Sequence, residues 1–325
     1  MSRYFSLNMK KAKNTDTEIQ DSRRDFLSKT VLATVGLPLL PGTMSAAFQN
    51  MALTSKPIPM NQDIPKSLIG QYGPWVASQI QDPPKLSFRN DLWSKIEDWK
   101  PSAHAKAQEQ IGEPLIKENI VVTLKRKYSY DGLDIEELTW QLPYGRPVEA
   151  IFMKPENNTE KLPAILALHD HAGKKYFGKR KITKTSEAQH PLMVAHQKSD
   201  YEGRAWANEI AKRGYAVLVH DAFSFASRRV FYEDMAGIEW GPLKAEGRTD
   251  ENSEDVRNIE AYNEWAGHHE HVMAKSLLSA GTSYTGMVLA EDRIAVDILS
   301  ARKDVDPERI GCGGLSGGGL RTVFL

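Results

Sequence analysis

A serine framed by glycines near the end of the chain is the feature that most directly suggests chemistry. Gly314-Leu315-Ser316-Gly317-Gly318 matches the pattern G-x-S-x-G. A nucleophilic serine has to lie on a sharp strand-to-helix turn, which only small neighbours permit. The stretch Arg309–Gly313 before it is typical of a strand, and Gly319-Leu320-Arg321 follows it. This context predicts Ser316 as the nucleophile of an acyl-transfer reaction.

Two other interpretations of the same glycines are a phosphate-binding loop and an inert turn. No lysine follows at the spacing of a phosphate-binding P-loop. The dinucleotide pattern G-x-G-x-x-G fits only from Gly311, and then Ser316 stands where the last glycine belongs. The residues therefore favour the nucleophile over the phosphate loop.

A second polar segment, His169–Gly173, follows the apolar run Leu162–Leu168. Acyl transfer needs two backbone N–H groups that converge on the developing oxyanion. One comes from the residue after the nucleophile, Gly317, and the other from a loop after a neighbouring strand. The sequence therefore predicts an oxyanion hole formed by Gly317 and His171.

The same histidines allow two further interpretations. They could simply close the end of the strand. His169 and His171 could instead form a metal pair completed by His268, His269 or His271. A metal site would leave the serine motif unexplained, so we expect neither a metal nor a cofactor.

The pattern of apolar residues predicts an α/β fold. Continuous apolar runs predict buried parallel strands, helical spacing predicts helices between them, and shorter alternating segments predict an antiparallel leader. The predicted parallel strands are Leu162–Leu168, Tyr215–Val219 and Arg309–Gly313; the helices are Arg204–Arg213 and Thr285–Arg302; the leader strands are Ile120–Leu124, Glu136–Leu142 and Val148–Met153. Alternating strands and helices predict a three-layer, mostly parallel sheet with helices on both faces.

The chain order suggests three regions. Residues 48–118, rich in Pro, Gln, Lys and Trp, are expected to form an irregular and helical N-terminal extension. Residues 119–325 are expected to form the α/β domain. An insertion at about 222–284 is long enough to be a packed helical excursion and could form a wall or lid over a substrate cleft.

The first 47 residues resemble a twin-arginine export signal. Arg23-Arg24 precede Phe26-Leu27, an apolar segment follows, and Ser45-Ala46-Ala47 are small residues of the kind a signal peptidase accepts. This resemblance implies recognition by the twin-arginine export machinery and a periplasmic or secreted protein.

Charge and cysteine content exclude several classes of function. Lys+Arg and Asp+Glu both number 42, so nothing favours a nucleic-acid partner. No apolar run reaches the roughly 18 residues that membrane insertion requires. Cys312 is the single cysteine, which excludes an internal disulfide.

Residues 119–325 resemble bacterial α/β-hydrolases of the dienelactone hydrolase and acetyl xylan esterase type. The matching stretches are LHDHAG at 168–173, RAWANEIAKRGYAVL at 204–218, DRIAVDIL at 292–299 and DPERIGCGGLSGGG at 306–319. The resemblance implies an α/β-hydrolase fold and a serine hydrolase acting on a small-molecule or carbohydrate ester, with Ser316 as nucleophile. A prolyl oligopeptidase-type peptidase, an acyltransferase and a non-catalytic α/β module remain alternatives.

The resemblance also implies an acidic residue and a histidine after the serine. Nine residues follow Ser316, and none is acidic or histidine. We therefore expect a fragment that lacks the C-terminal part of the fold together with the catalytic acid and histidine, and that is inactive alone. The alternative is a base recruited from upstream, for which His220-Asp221 is the most suggestive pair.

Overall fold

The computed structural model describes residues 67–251 and 254–325. The chain divides into two compact units, one ending at Gln79 and the other beginning at Ile80. The described part of the first unit contains helix α1 (Tyr72–Ser78). The predicted export signal at 1–47, and residues 48–66 of the predicted extension, lie outside the described residues.

A six-stranded mixed sheet forms the centre of the second unit. Its strands are β1 (Val122–Tyr130), β2 (Leu133–Trp140), β3 (Val148–Pro155), β4 (Leu162–Leu168), β5 (Ala216–His220) and β6 (Val305–Gly314). Their order across the sheet is β1-β2-β3-β5-β4-β6. β1, β2 and β3 form the predicted antiparallel leader, and β3 also pairs antiparallel with β5. β4 pairs in parallel with both β5 and β6, which places the ends of these three strands at one edge.

The helices of this unit are α2 (Ile96–Ile111), α3 (Pro191–Asp200), α4 (Trp206–Lys212), α5 (Val256–Ser279), α6 (Tyr284–Ser300) and α7 (Gly317–Phe324). Two of them, α4 and α6, cover opposite faces of the sheet. Ala207 and Ala211 of α4 pack on one face, in a cluster with Val217 of β5. Ala295 and Leu299 of α6 pack in a separate cluster on the other face. The predicted three-layer α/β fold is confirmed, but the sheet is mixed rather than mostly parallel. Three of its five strand pairings are antiparallel, because the leader strands continue the sheet through β3 and β5.

Residues 222–284 contain three short 3₁₀ helices and then the long helix α5. The 3₁₀ helices are Ala226–Arg228, Glu233–Met235 and Gly241–Leu243. Asp255 caps α5 by accepting hydrogen bonds from the N–H groups of Arg257 and Asn258. Tyr232, Tyr262 and Trp265 pack together and form a core separate from the sheet. Among the residues described, no helix is both long and apolar enough to cross a membrane.

Candidate active site

Ser316 lies between β6 and α7, in the strand–turn–helix setting that its glycines predict. Its backbone has φ 54° and ψ −117°, a conformation that residues other than glycine rarely adopt. A Cβ atom on Gly318 would lie 2.2 Å from the backbone oxygen of Leu168, and one on Gly314 would lie 2.5 Å from the same oxygen. Glycine at both positions therefore lets residues 313–319, the serine turn, pack directly against the end of β4.

The second segment, residues 169–173, which we name the histidine loop, meets this turn at Gly317. A Cβ atom on Gly317 would lie 3.1 Å from the backbone nitrogen of His171. Among residues 67–251 and 254–325, neither of these two backbone N–H groups donates to a backbone acceptor. Gly317 is also the first residue of α7, where an N–H has no acceptor within the helix. The two predicted oxyanion donors are therefore adjacent and unengaged.

A cavity of about 210 Å³ opens beside these two residues. Its walls come from the histidine loop, the segment after β5, and helices α5, α6 and α7. Six apolar side chains contribute to its lining: Ala222, Phe225, Val288, Leu289, Leu320 and Phe324. Ser316 is exposed and is not part of the lining, whereas Gly317 is. The cavity wall therefore includes the residue after the serine but not the serine itself.

The imidazole of His171 is held by helix α5. Its Nε2 lies 2.9 and 3.1 Å from the two carboxylate oxygens of Glu270, and its Nδ1 accepts from the N–H of Gly173 at 3.0 Å. Nδ1 is therefore the acceptor, and Nε2 carries the proton and donates to Glu270. Burial raises the pKa of Glu270, but hydrogen bonds from His171 and Lys175 outweigh it and hold this pKa at about 2. An ionised Glu270 thus fixes the orientation of the His171 ring.

A buried ion pair joins α7 to the strand ends. Arg321 donates from Nε and Nη2 to the two carboxylate oxygens of Asp292, at 2.9 and 2.5 Å. Its Nη1 donates to the backbone oxygen of His169 at 3.3 Å. Burial raises the pKa of Asp292, but Arg321 and a hydrogen bond with His220 hold it at about 2. Arg321 therefore connects the helix after the serine to the first residue of the histidine loop.

His220 and Asp221, the upstream candidates for a base, do not form a His–carboxylate pair. Nε2 of His220 bonds Asp292 at 2.9 Å, whereas Asp221 accepts from Lys179 Nζ at 2.8 Å. Both side chains are fully buried. The interpretation of His220-Asp221 as a dyad is wrong, because helix α6 supplies a nearer carboxylate that the spacing of residues could not reveal.

Three of the histidines considered for metal binding, His169, His171 and His269, have other partners. His269 stacks on Trp265, with ring centroids 5.0 Å apart, and His171 bonds Glu270. Nε2 of His169 accepts from the N–H of Ala222. Burial, reinforced by nearby cations, lowers the pKa of His169. Within the described ranges, no group of three or more His, Cys, Asp or Glu side chains is placed to hold a metal ion.

Four residues at this site were not predicted from the sequence: Lys181, Glu270, Asp292 and Arg321. Lys179-Arg180-Lys181 has the composition of a solvated surface, yet Lys181 is completely buried. Asp292 lies on the buried side of α6. A charged residue among the apolar residues of this side was the one sign in the sequence that Asp292 has a buried partner. The sequence around Glu270 and Arg321 gave no such sign, since their partners in the histidine loop lie 99 and 152 residues away in the chain.

Comparison with known proteins identifies the fold class. No protein-family model matches the chain. A curated protein of Bacillus subtilis (strain 168), named "Putative hydrolase YtaP", is 25% identical over 187 residues, 57% of this chain and 46% of that protein. A solved structure named "putative acetyl xylan esterase", from Bacteroides fragilis NCTC 9343, superposes with a TM-score of 0.57 at 18% identity, covering 80% of this chain and 57% of that one.

A glucuronoyl esterase from Solibacter usitatus superposes with a TM-score of only 0.42 at 12% identity, over 71% of this chain and 56% of that one. The chain spans about half the length of the curated relative that it matches. The Bacteroides structure has the same α/β fold as this chain. The comparisons therefore establish the fold class, and the activity is inferred from the site.

Proposed function

We propose that this chain carries the nucleophile and oxyanion hole of a serine hydrolase that cleaves carboxylic esters. The observation that supports it most strongly is the pairing of a strained serine with two unengaged N–H groups. Ser316 occupies a backbone conformation that non-glycine residues rarely tolerate. The N–H groups of Gly317 and His171 lie together next to it. A strained serine beside two adjacent donors is the arrangement that acyl transfer requires.

The proposed reaction has two halves. The Ser316 oxygen attacks the ester carbonyl, and the carbonyl oxygen, now negative, accepts hydrogen bonds from Gly317 and His171. Collapse of this intermediate releases the alcohol and leaves an acyl group on Ser316, which water then removes. The N-terminus of α7 points at the same place and favours the developing negative charge. A histidine has to accept the Ser316 proton, and the family resemblance implies that it follows the nucleophile in chain order.

The cavity supports a small ester as substrate. A carbonyl group bound between Gly317 and His171 directs one of its substituents into a space lined by Phe225, Val288 and Leu289. The charged residues in the wall already have ionic partners: Arg321 pairs with Asp292, Asp170 with Lys181 and Glu270 with Lys175. The substituent in the cavity is therefore expected to be uncharged. The name of the Bacteroides structure adds support for a carbohydrate acetate as the natural substrate.

A fluorophosphonate probe and a small aryl acetate test this proposal. We expect a protein that carries this chain together with the acid and histidine implied by the resemblance, the material for every activity measurement below, to react with both. Ser316→Ala should abolish both reactions, since loss of a nucleophile costs on the order of 10⁶ in turnover. Ser224→Ala removes another serine with positive φ and should keep the label. Labelling that persists in Ser316→Ala would place the nucleophile elsewhere. No reaction of the unaltered protein would favour a non-catalytic module.

We further propose that residues 1–47 direct export through the twin-arginine machinery. Arg23 and Arg24 precede an apolar segment that ends in small residues. The arginine pair is recognised by a receptor rather than through bulk charge. Arg23→Lys with Arg24→Lys should therefore retain the unprocessed precursor in the cytoplasm. Processing and export of this double variant, measured by fractionation, would contradict the proposal.

A further inference from the structure

A completely buried lysine lies behind the histidine loop. Lys181, at the end of the 3₁₀ helix Lys179–Lys181, has no exposed surface. Its Nζ donates to the backbone oxygens of Asp170 and His171, at 2.8 and 2.9 Å. It also lies 3.5 Å from Oδ2 of Asp170. An ammonium is costly to bury unless such partners compensate it, and the proposed reaction does not use this one.

The Lys181 contacts determine where a neighbouring N–H group points. The peptide bond between Asp170 and His171 is trans, so its C=O and N–H point in opposite directions. Because the carbonyl of Asp170 is directed at Lys181, the N–H of His171 is directed away from Lys181. Gly317 lies close to that nitrogen, since a Cβ atom on Gly317 would be 3.1 Å from it.

We propose that Lys181 is a positioning residue that aims the N–H of His171 into the oxyanion hole. This inference rests on the proposed function, because the N–H group needs an exact direction only if an oxyanion binds there. The ammonium fixes two successive carbonyls, so the peptide between them cannot rotate without breaking a charge-assisted hydrogen bond. Polarising the Asp170 carbonyl also strengthens the N–H of the same peptide as a donor.

The surroundings of Lys181 are consistent with this role. Burial lowers the pKa of Lys181 to about 8, with Asp170 opposing the change, so the side chain remains mostly protonated at neutral pH. Asp170 is itself held by His196 Nε2 at 3.1 Å and by the hydroxyl of Tyr201 at 2.5 Å. The carboxylate that compensates Lys181 is therefore fixed from the opposite side, and so is the loop that carries it.

The double variant in this test removes the ammonium together with its carboxylate, so that neither charge stays buried without the other. Asp170→Asn neutralises the carboxylate and keeps Lys181, whereas Asp170→Asn with Lys181→Met also removes both hydrogen bonds to the loop. Relative to the single variant, we expect the double variant to lower kcat on an aryl acetate by 10- to 100-fold, the range for a misdirected oxyanion donor. We expect KM to change by less than about twofold, because this N–H group interacts more strongly with the negative oxygen of the transition state than with the neutral carbonyl of the bound ester.

A spectroscopic measurement accompanies the kinetics. In protein labelled with ¹⁵N-histidine, the backbone amide signal of His171, assigned from its loss in His171→Asn, should have a different position in the double variant than in Asp170→Asn. The control is Arg228→Met with Glu291→Gln, which neutralises another buried ion pair that does not touch the loop. It should leave both the amide signal and kcat unchanged.

Two results would overturn the inference. One is a His171 amide signal that is the same in the double variant and in Asp170→Asn. The other is a moved signal with an unchanged kcat, which would make Lys181 a structural residue only. The amide measurement needs no turnover, whereas the proposed function fails if Ser316→Ala still hydrolyses the ester. The two failures are therefore distinguishable.

Discussion

The serine turn and the histidine loop follow neighbouring parallel strands, β6 and β4, yet they are held in different ways. The serine turn depends on missing side chains: glycines at 314 and 318 bring its backbone against the oxygen of Leu168. The histidine loop depends on side chains from elsewhere, namely the buried Lys181 and the partly buried Glu270 and Arg321.

This difference matters for precision at the site. A turn packed backbone against backbone has little freedom, because no side chain can rearrange to relieve a change. A loop held by side chains moves when any one of them is lost. We therefore expect substitutions in the serine turn to have all-or-none effects, and substitutions around the histidine loop to have graded ones.

The largest expected effect is that of Gly318→Ala. The new methyl group would lie 2.2 Å from the Leu168 oxygen and 3.1 Å from the His169 oxygen. Because these are backbone atoms, the turn itself has to move, and Ser316 moves with it. We expect kcat/KM to fall by more than about 100-fold, together with fluorophosphonate labelling.

Gly313→Ala is the matched control, because a Cβ atom at Gly313 would meet nothing within 4 Å. It should change kcat/KM by less than about threefold. Similar losses from both substitutions would mean that backbone flexibility, rather than close approach at Gly318, is what the turn requires.

Much of the sheet was predictable from the sequence, because local patterns report burial. The run Leu162–Leu168 has the same bounds as β4, since a strand covered on both faces is apolar throughout. β1 extends to Tyr130, six residues past its predicted end. Its central residues, Lys125 to Lys127, are exposed, and nothing in such a polar stretch signals a strand.

The site was predictable only where its determinants are local. Glycine placement identified the serine turn, because the steric requirement and the residues that meet it are contiguous. The position of His171 followed from its strand, but its anchors did not, because Glu270 and Arg321 are brought to the loop by the packing of α5 and α7.

A second prediction concerns the ion pair that connects the two regions. The pKa of Asp292 is about 2, below its ordinary 3.8. Its ionised form thus stabilises the fold above about pH 4, and this contribution disappears as the pH falls through 2. The shift corresponds to about 2 kcal/mol. Asp292→Asn should lower the free energy of unfolding by about that amount at pH 7. The stability of this variant should also fall less on acidification than that of the unaltered protein.

Urea unfolding at pH 7 and pH 3 measures both effects. Asp297→Asn, at an exposed position on the same helix, is the control and should change the free energy of unfolding by less than about 0.5 kcal/mol. If Asp292→Asn is as stable as the unaltered protein, contacts of the glycines alone suffice to hold α7 against the strand ends.

The smallest predicted effect isolates the strain at Ser316. Its conformation should cost a non-glycine residue about 1–3 kcal/mol, which Ser316→Gly relieves and Ser316→Ala retains. Glycine also makes the unfolded chain more flexible, which offsets about 0.4–1 kcal/mol of that gain. Ser316→Gly should therefore be more stable than Ser316→Ala by about 1 kcal/mol in urea unfolding, although neither variant should hydrolyse ester. At the exposed helical residue Ser276, the same pair should differ in the opposite direction, since glycine destabilises a helix. Equal stability of the two Ser316 variants would mean that the turn holds its serine without strain.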